Sequence, residues 1–487
     1  QNPAGYGGAE PSMTELVALL PERPLRLTVR LLTESGMDDA SFLSAVQRPA
    51  GKAYCAVLLS GGKHDCARYS MAGWDPFLIL KSKGRKTSVA TPAGEVTIEG
   101  NPLDVLDRIF DALKPGFPLG DHPFAGGAMG YFAYDLKNGI EHLPQTAKDD
   151  LDLPDLLLFF PRRIIIHDRH AGSLHGLVIS GQENCSAALR EMEALLERPY
   201  SGSHGLRIGS MHCNFDRGRY IASVSRVRRY IRAGDVYQVN LSQRFQFPFH
   251  GDPFRLWEPL FRLNPCPFYA FIRVGDHQVL STSMERFLYR RGPTIETRPI
   301  KGTRPRGKSA EEDERLRLEL QSSPKDDAEL SMIVDLLRND LGRICRPRSI
   351  RVAEHKRLET YQNVHHLISI VTGELRDDVT YGKILTATFP GGSITGCPKV
   401  RAMEIIDELE PHVRHVYTGS IGYLGWHGNM DLNIAIRTAL VHRKWCYFSV
   451  GGGIVYDSNE EDEYQETLHK ARTLFDLIEN LEKSRVP

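Results

Sequence analysis

No apolar run in this sequence of 487 residues approaches the ~20 residues that a helix needs to cross a bilayer, which excludes a helical membrane span. Neither sign of charge prevails: 61 Lys and Arg stand against 61 Asp and Glu, a formal net charge of zero. A chain that gripped nucleic acid through its bulk field would carry an excess of basic residues, and no basic stripe is present. Eight cysteines, at 55, 66, 185, 213, 266, 345, 397 and 446, form no CxxC or CxC pair. Neither a zinc site nor a disulfide framework is signalled, and this usage suits a reducing cytosol. No charged-then-apolar leader opens the chain, so a cytoplasmic location is expected. Internal repeats are absent. So are the GxxxxGK[ST] loop and the strand–GxGxxG–helix unit, which removes a P-loop or Rossmann nucleotide site from consideration.

What is present is globular in composition, with 41% hydrophobic and 25% charged residues. Residues 1–12 (QNPAGYGGAEPS) lack apolar periodicity and are expected to be an expression remnant or a disordered tail. Short β-like runs follow at Tyr54–Leu59, Phe77–Leu80, Glu95–Ile98, Leu156–Phe160, Ile164–His167 and Leu177–Ser180, with a helix over Pro102–Leu113. A polar Gly/Ser stretch near residue 200 suggests a boundary between an N-terminal region (13–200) and a second region (214–483). The second region opens with a helix over Asp216–Ala233. Further helices are expected at Asp327–Arg343, Lys399–Leu409 and Tyr464–Leu481, where apolar residues recur every three or four positions. Strands are expected at Ile434–Leu440 and Cys446–Val450. The fold class is therefore mixed α+β with substantial antiparallel sheet.

Several features could carry chemistry. Gly-rich turns are expected at Pro390–Gly396, which includes Thr395, at Gly422–Gly425 and at Gly451–Gly453. The first feeds the helix beginning at Lys399, and a helix start of that kind favours an anion. Glu329 opens one helix. Glu463 and Glu466 lie one turn apart at the start of another and share a face. Such acids ordinarily complement the helix dipole; the alternative is that two helix starts converge on Mg²⁺, which prefers oxygen ligands. His365 and His366 would point to opposite faces of a strand. Lys301 falls in the basic run Thr297–Arg306, which composition alone reads as a solvated loop.

Together these segments resemble the chorismate-utilising enzymes, the family of the anthranilate synthase and aminodeoxychorismate synthase large subunits. The motifs run in family order over about residues 50–480: GGAMGYFAYDL (126–136), IRAGDVYQVNLSQRF (231–245), SMERF (283–287), RPIKGTRPRG (298–307), KDDAELSMIVDLLRNDLGRI (325–344), FPGGSITGCPKVRAMEIIDELEP (389–411), GSIGYLGWHGNMDLNIAIRT (419–438), GGGIVYDS (451–458) and EYQETLHKA (463–471). Anthranilate synthases typically read PIAGT where this chain has PIKGT at 299–303, the form that resembles the branch aminating chorismate at C4.

The resemblance implies an anthranilate-synthase-type fold, two antiparallel sheets packed together with helices outside, in which the N- and C-terminal segments intertwine. It implies Lys301 as nucleophile and Glu285 as general acid. It implies Mg²⁺ on Glu329 and Glu466 with Glu463 nearby. Substrate contacts would come from Gly302, Thr303, His366, Thr395, Lys399, Tyr423, Arg437 and the amides of Gly451, Gly452 and Gly453. No GxCxG elbow of a glutaminase is present, since Gly396-Cys397-Pro398 lacks the third glycine. A separate glutaminase subunit is therefore implied as ammonia donor. Relatives also build a tryptophan pocket from a serine in an LLES-like motif and a segment matching Asn264–Phe271; Leu58-Leu59-Ser60-Gly61 stands there in this chain. SMERF has Met284 in place of the usual Pro, and Cys397 replaces the usual Ala of SITGAPK. The competing functions are amination at C2, an isochorismate or salicylate synthase that uses water, and a non-catalytic chorismate-binding subunit. Lys301 argues against the first two. Retention of Glu285, Lys301, Glu329 and Glu466 together argues against the third.

Overall fold

The computed structural model describes residue 16 and residues 18–20, 25–116, 118–181, 185–197 and 205–483. The expectation for residues 1–12 and much of the proposed boundary near 200 lie outside them. Every ladder among the described residues is antiparallel, and helices cover the outside, as the sequence leads one to expect.

The sheet divides into two layers that share their longest strands. Tyr69–Lys83 pairs with Tyr54–Leu59 through Met71–Trp74 and with Lys86–Thr91 through Ile79–Lys83. Between these stretches its register with Leu156–Asp168 slips, beside Asp75, which has a left-handed φ of 59°. A bulge of this kind bends and twists a strand, and here it carries the chain from one layer into the other. Leu156–Asp168 divides likewise: its first half pairs with Gly127–Phe132 and its second with Ser173–Ser180. The two runs expected at 156–160 and 164–167 are thus one strand. Tyr54–Leu59 pairs with Phe268–Val274, and Gly127–Phe132 with Ser420–Gly425. N- and C-terminal halves therefore interleave, and the boundary near 200 separates regions of sequence only. Each layer packs its own apolar core, one around Phe132, Leu158 and Ile421, the other around Trp257, Phe247 and Phe271.

Local signals account for the helices. Pro102–Ala112 is capped by Asn101 and Pro324–Gly342 by Ser323, each with Pro in the first turn. Arg217–Ala233 is capped by Asp216 and ends on Gly234 at φ 84°. Glu460–Lys483 begins at Asn459, whose side chain accepts from the amides of Glu461 and Asp462.

Three expectations need correction. Gly422–Gly425 lies within the strand Ser420–Gly425, and Gly451–Gly453 within Trp445–Ile454; neither is a turn. Their glycines serve close approach: a Cβ at Gly422 would sit 1.9 Å from Asp431 O, and one at Gly451 2.7 Å from Leu241 O. The strand expected at 434–440 begins only at Thr438. Residues 434–437 carry the chain from Met430–Asn433 in one layer to Thr438–His442 in the other, and Arg437 turns it at φ 48°. Lys301, finally, is on the strand Ile300–Pro305 rather than in a solvated loop.

Candidate active site

The candidate site lies where chains cross between layers, because crossing frees backbone and side chains from the ladders. Glu285 occupies the short gap between His277–Ser283 and Arg286–Arg291. Its amide donates to Ser283 Oγ at 3.2 Å, and its carbonyl accepts from the Ile434 amide at 3.0 Å. The side chain is buried and accepts from Ser393 Oγ at 2.6 Å. Burial pushes the carboxyl from its ordinary 4.5 up to about 7, against the pull of Ser393, Lys301 and the Ile300 amide. Such a group still holds a proton for much of the time near neutral pH, as a general acid must.

This has a cost in stability. The folded state binds the Glu285 proton more tightly than the unfolded chain, so stability falls as pH rises from about 4.5 through about 7. Glu285→Gln removes that titration. Its stability, read from the melting temperature, should match wild type near pH 4 and exceed it above pH 7, by a free energy on the order of 1–3 kcal/mol. Calorimetric scans at the two pH values check this; an equal effect at both would remove the buried proton from the account.

Lys301 pairs with Leu367 across the sheet. Burial lowers its ammonium below the usual lysine range, opposed by Glu329, then Glu285, then Glu466, with Lys470 adding to the depression. The lysine thus stands among carboxylates from a layer crossing and from the second turns of two helices, Glu329 being the sixth residue of Pro324–Gly342 and Glu466 the seventh of Glu460–Lys483. Glu466 is bridged to Lys470 Nζ at 2.6 Å, and Lys470 also donates to Gly451 O at 3.1 Å. Glu463 accepts from Ser458 Oγ at 2.6 Å, and its carboxyl is raised by burial and by Glu466. Both acids close on Gly452, where a Cβ would stand 3.2 Å from Glu463 Oε2 and 3.8 Å from Glu466 Oε1. A Cβ at Gly453 would collide with the Gln238 amide. Among the described residues no three His, Cys, Asp or Glu side chains are drawn together tightly enough to hold a metal as they stand. In donor chemistry, the oxygen-only set of Glu329, Glu463 and Glu466 fits Mg²⁺, and the mutual repulsion of Glu463 and Glu466 gives it a cation to gain.

Opposite lies a neutral and cationic wall. His366 Nδ1 is 3.0 Å from Thr303 Oγ1 and 3.2 Å from Gly302 O. Burial and the Arg437 charge lower the imidazole to about 3, so it is neutral. Its proton belongs on Nδ1, facing the carbonyl, which leaves Nε2 a buried acceptor without a partner. Gly302 holds φ 71° with Leu320 and Asp326 closing on its α-carbon, so a side chain there would be strained as well as crowded. The Arg437 carbonyl accepts from the amide and hydroxyl of Thr282, each at 3.0 Å, while its guanidinium has no hydrogen bond or ion pair among the described residues. A free fork of that kind suits a carboxylate.

Three expected contacts are not brought here. Tyr423 lines a cavity of about 360 Å³ whose lining includes neither Glu285 nor Lys301. Lys399 is bound to Asp340 and to Thr388 O, where helix packing uses its charge. The Thr395 hydroxyl donates to Gly391 O and Gly392 O within its own turn. Two residues were overlooked. Lys470 could have been found as the partner four positions after Glu466. Ser393 gives no signal of spacing, because its contact with Glu285 spans 108 positions.

A family profile described as chorismate binding enzyme matches residues 55–476. The chain belongs to that family. It is 42% identical to aminodeoxychorismate synthase component 1 of Salmonella typhimurium over 431 residues, covering 87% of this chain and 93% of that one. It is also 42% identical to anthranilate synthase component 1 of Thermus thermophilus over 405 residues, 82% of this chain and 87% of that one. Among solved structures, anthranilate synthase component I from Streptococcus pneumoniae superposes with a TM-score of 0.74 at 33% identity, covering 85% of this chain and 93% of that one. This member of the chorismate-binding enzymes thus has near-equal likeness to two branches, and its own residues must separate them.

Proposed function

We propose that this chain aminates chorismate at C4 to 4-amino-4-deoxychorismate, as component 1 of an aminodeoxychorismate synthase. The observation that carries the reading is Lys301, an amine lowered by burial and set beside a carboxyl raised to about 7. Chorismate is a dicarboxylate whose C4 hydroxyl leaves poorly. Arg437 binds one carboxylate. Glu329 and Glu466, with Glu463 close by, would hold Mg²⁺, which supplies neutralising charge for the other. Thr303 and His366 Nε2 offer the ring substituents a hydroxyl and an acceptor. The Lys301 amine attacks C2 as Glu285 gives its proton to the departing C4 hydroxyl, releasing water. Ammonia then attacks C4 and the C2–lysine bond breaks, restoring the amine. The reactive state, protonated Glu285 with neutral Lys301, differs from the ion pair by one proton transfer. The two groups titrate as a unit, and a bell-shaped pH–rate profile is expected.

Product identification tests the reading: chorismate, Mg²⁺ and an ammonium salt, with and without an added aminodeoxychorismate lyase. 4-Aminobenzoate appearing only with the lyase supports it; anthranilate from the chain alone would assign amination at C2 instead.

The component 1 relatives point to a second component. With no glutaminase elbow in the sequence, the purified chain should turn over with ammonium and not with glutamine. Glutamine-dependent product from amidase-free protein would overturn the need for a separate glutaminase.

The 360 Å³ cavity falls in the size range of small-molecule sites and joins Ser60 to Pro267–Ala270, the two segments expected to form a tryptophan pocket. Gly61 is turned away against Phe261 and Pro265, so Ser60 is the residue presented. We propose tryptophan as its occupant.

A further inference from the structure

Ser393 makes the shortest hydrogen bond to the proposed acid, and everything around it is built to prevent either partner from moving. Ser393 lies in the single 3₁₀ turn Gly392–Ile394. Neighbours jam the turn on two sides: a Cβ at Gly391 would stand 2.6 Å from Ile434 Cδ1, and one at Gly392 2.6 Å from Leu336 Cδ2. The Thr395 hydroxyl ties the turn internally, and Arg414 Nη1 donates to Ile394 O at 3.0 Å. Arg414 is in turn held by the buried Glu410. Glu285 is fixed from the other side through Ser283 and Ile434. Resting on the assignment of Glu285 as the acid, we infer that Ser393 is a positioning residue, holding one carboxyl oxygen so that the other presents its proton to the leaving hydroxyl. The turn's glycines, Thr395 and Arg414 together hold this hydroxyl in place.

The electrostatics agree with the geometry. The charge facing Glu285 is Lys301, on the adjoining strand, and the Ile300 amide also points to it. Arg286, its neighbour in sequence, faces the other way and is consumed by Asp431 and Glu296. The Ser393 hydroxyl donates to the carboxylate and so favours its ionised form. Removing the donor should therefore raise the carboxyl pKa, while freeing the side chain to swing.

The test compares pH–rate profiles of ammonium-driven amination by the full chain for wild type, Ser393→Ala, Ser393→Thr, Ser393→Cys and Glu285→Gln. Ser393→Ala should lose about 10- to 100-fold in kcat with little change in KM. Its alkaline limb should move up by about one pH unit. Ser393→Thr, which keeps the hydroxyl, should restore the limb, and Ser393→Cys, a weaker donor of similar size, should fall between. The carboxyl C=O stretch in infrared difference spectra, absent from Glu285→Gln, should titrate with the same shift. If Glu285→Gln retains wild-type turnover, the acid assignment fails. If Glu285→Gln is inactive while Ser393→Ala and Ser393→Cys both keep the wild-type limb, the assignment stands and the inference about Ser393 is overturned.

Discussion

Lys301→Ala is expected to lower formation of the C4-amino product by 10²-fold or more, at least about 2.7 kcal/mol of transition-state stabilisation. The loss follows from what the lysine is asked to do. In the proposed mechanism, with its amine bonded at C2, ammonia can enter only at C4; without it, the covalent route is gone and direct displacement must do the work. Alanine also leaves a space beside Glu285, Glu329 and Glu466. Ammonia entering that space meets C2, with Glu285 still able to protonate the leaving hydroxyl. A slow C2-amino product is therefore expected, released in part as anthranilate. Chromatography with anthranilate fluorescence and lyase-coupled 4-aminobenzoate as separate channels reads both outcomes. Near-normal 4-aminobenzoate from a verified Lys301→Ala sample would remove the nucleophile role and leave the ammonium an electrostatic one. The fold should survive, because Lys301 packs in the site rather than in either apolar core.

The elements of this site were legible in the sequence to very different degrees. Helices came through because caps and apolar periodicity are local: Lys399–Leu409 is observed with the expected bounds, and Pro324–Gly342 starts only three residues before its expected position. Strands at layer crossings did not. Residues 434–437 carry an apolar pattern that reads as strand, yet they belong to neither ladder. What decides this is the left-handed turn at Arg437, a conformation set by where two distant ladders must meet. Glycines misled for a related reason. Gly451–Gly453 read as a turn because glycine permits one, but here it admits a neighbouring strand and two carboxylates. Composition could not tell these uses apart.

Residue roles divide along the same line. Glu463 and Glu466 could be placed on one face from spacing alone. The approach of Glu466 to Lys301, together with Glu329, is a fact of tertiary structure, and it came to the sequence reading only through family motifs. Those motifs also suggested Tyr423, Thr395 and Lys399, which turn their side chains elsewhere. A motif fixes the segment that reaches a site; which of its residues faces inward depends on strand pleat and turn geometry.

Glu329→Gln and Glu466→Gln should each cut turnover by two to three orders of magnitude while leaving the melting temperature unchanged or raised. The two effects have one cause. Glu329 and Glu466 place negative charge around one lysine, and Glu463, raised first by burial and then by Glu466, adds like charge beside Glu466. Without a cation this is a destabilising arrangement, relieved in part by the exposed Glu466–Lys470 pair, whose net worth is ~0–1 kcal/mol. Removing one charge therefore costs the fold little. For function the expected loss is large, because in the proposed role a carboxamide is a poor replacement for an ionised ligand of Mg²⁺. Asp335→Asn, on the same helix as Glu329 but exposed and, among the described residues, paired only with Arg338, is the matched control and should change neither quantity. Titration calorimetry with MgCl₂ supplies a readout independent of turnover: wild type and Asp335→Asn should bind, and both site variants should bind at least tenfold more weakly. Full activity of wild type in excess EDTA, or unimpaired Mg²⁺ binding by both site variants, would show that these carboxylates hold something other than a metal. In that event their service to the reaction would be to Lys301 alone, as the counter-charge that keeps its amine near the substrate.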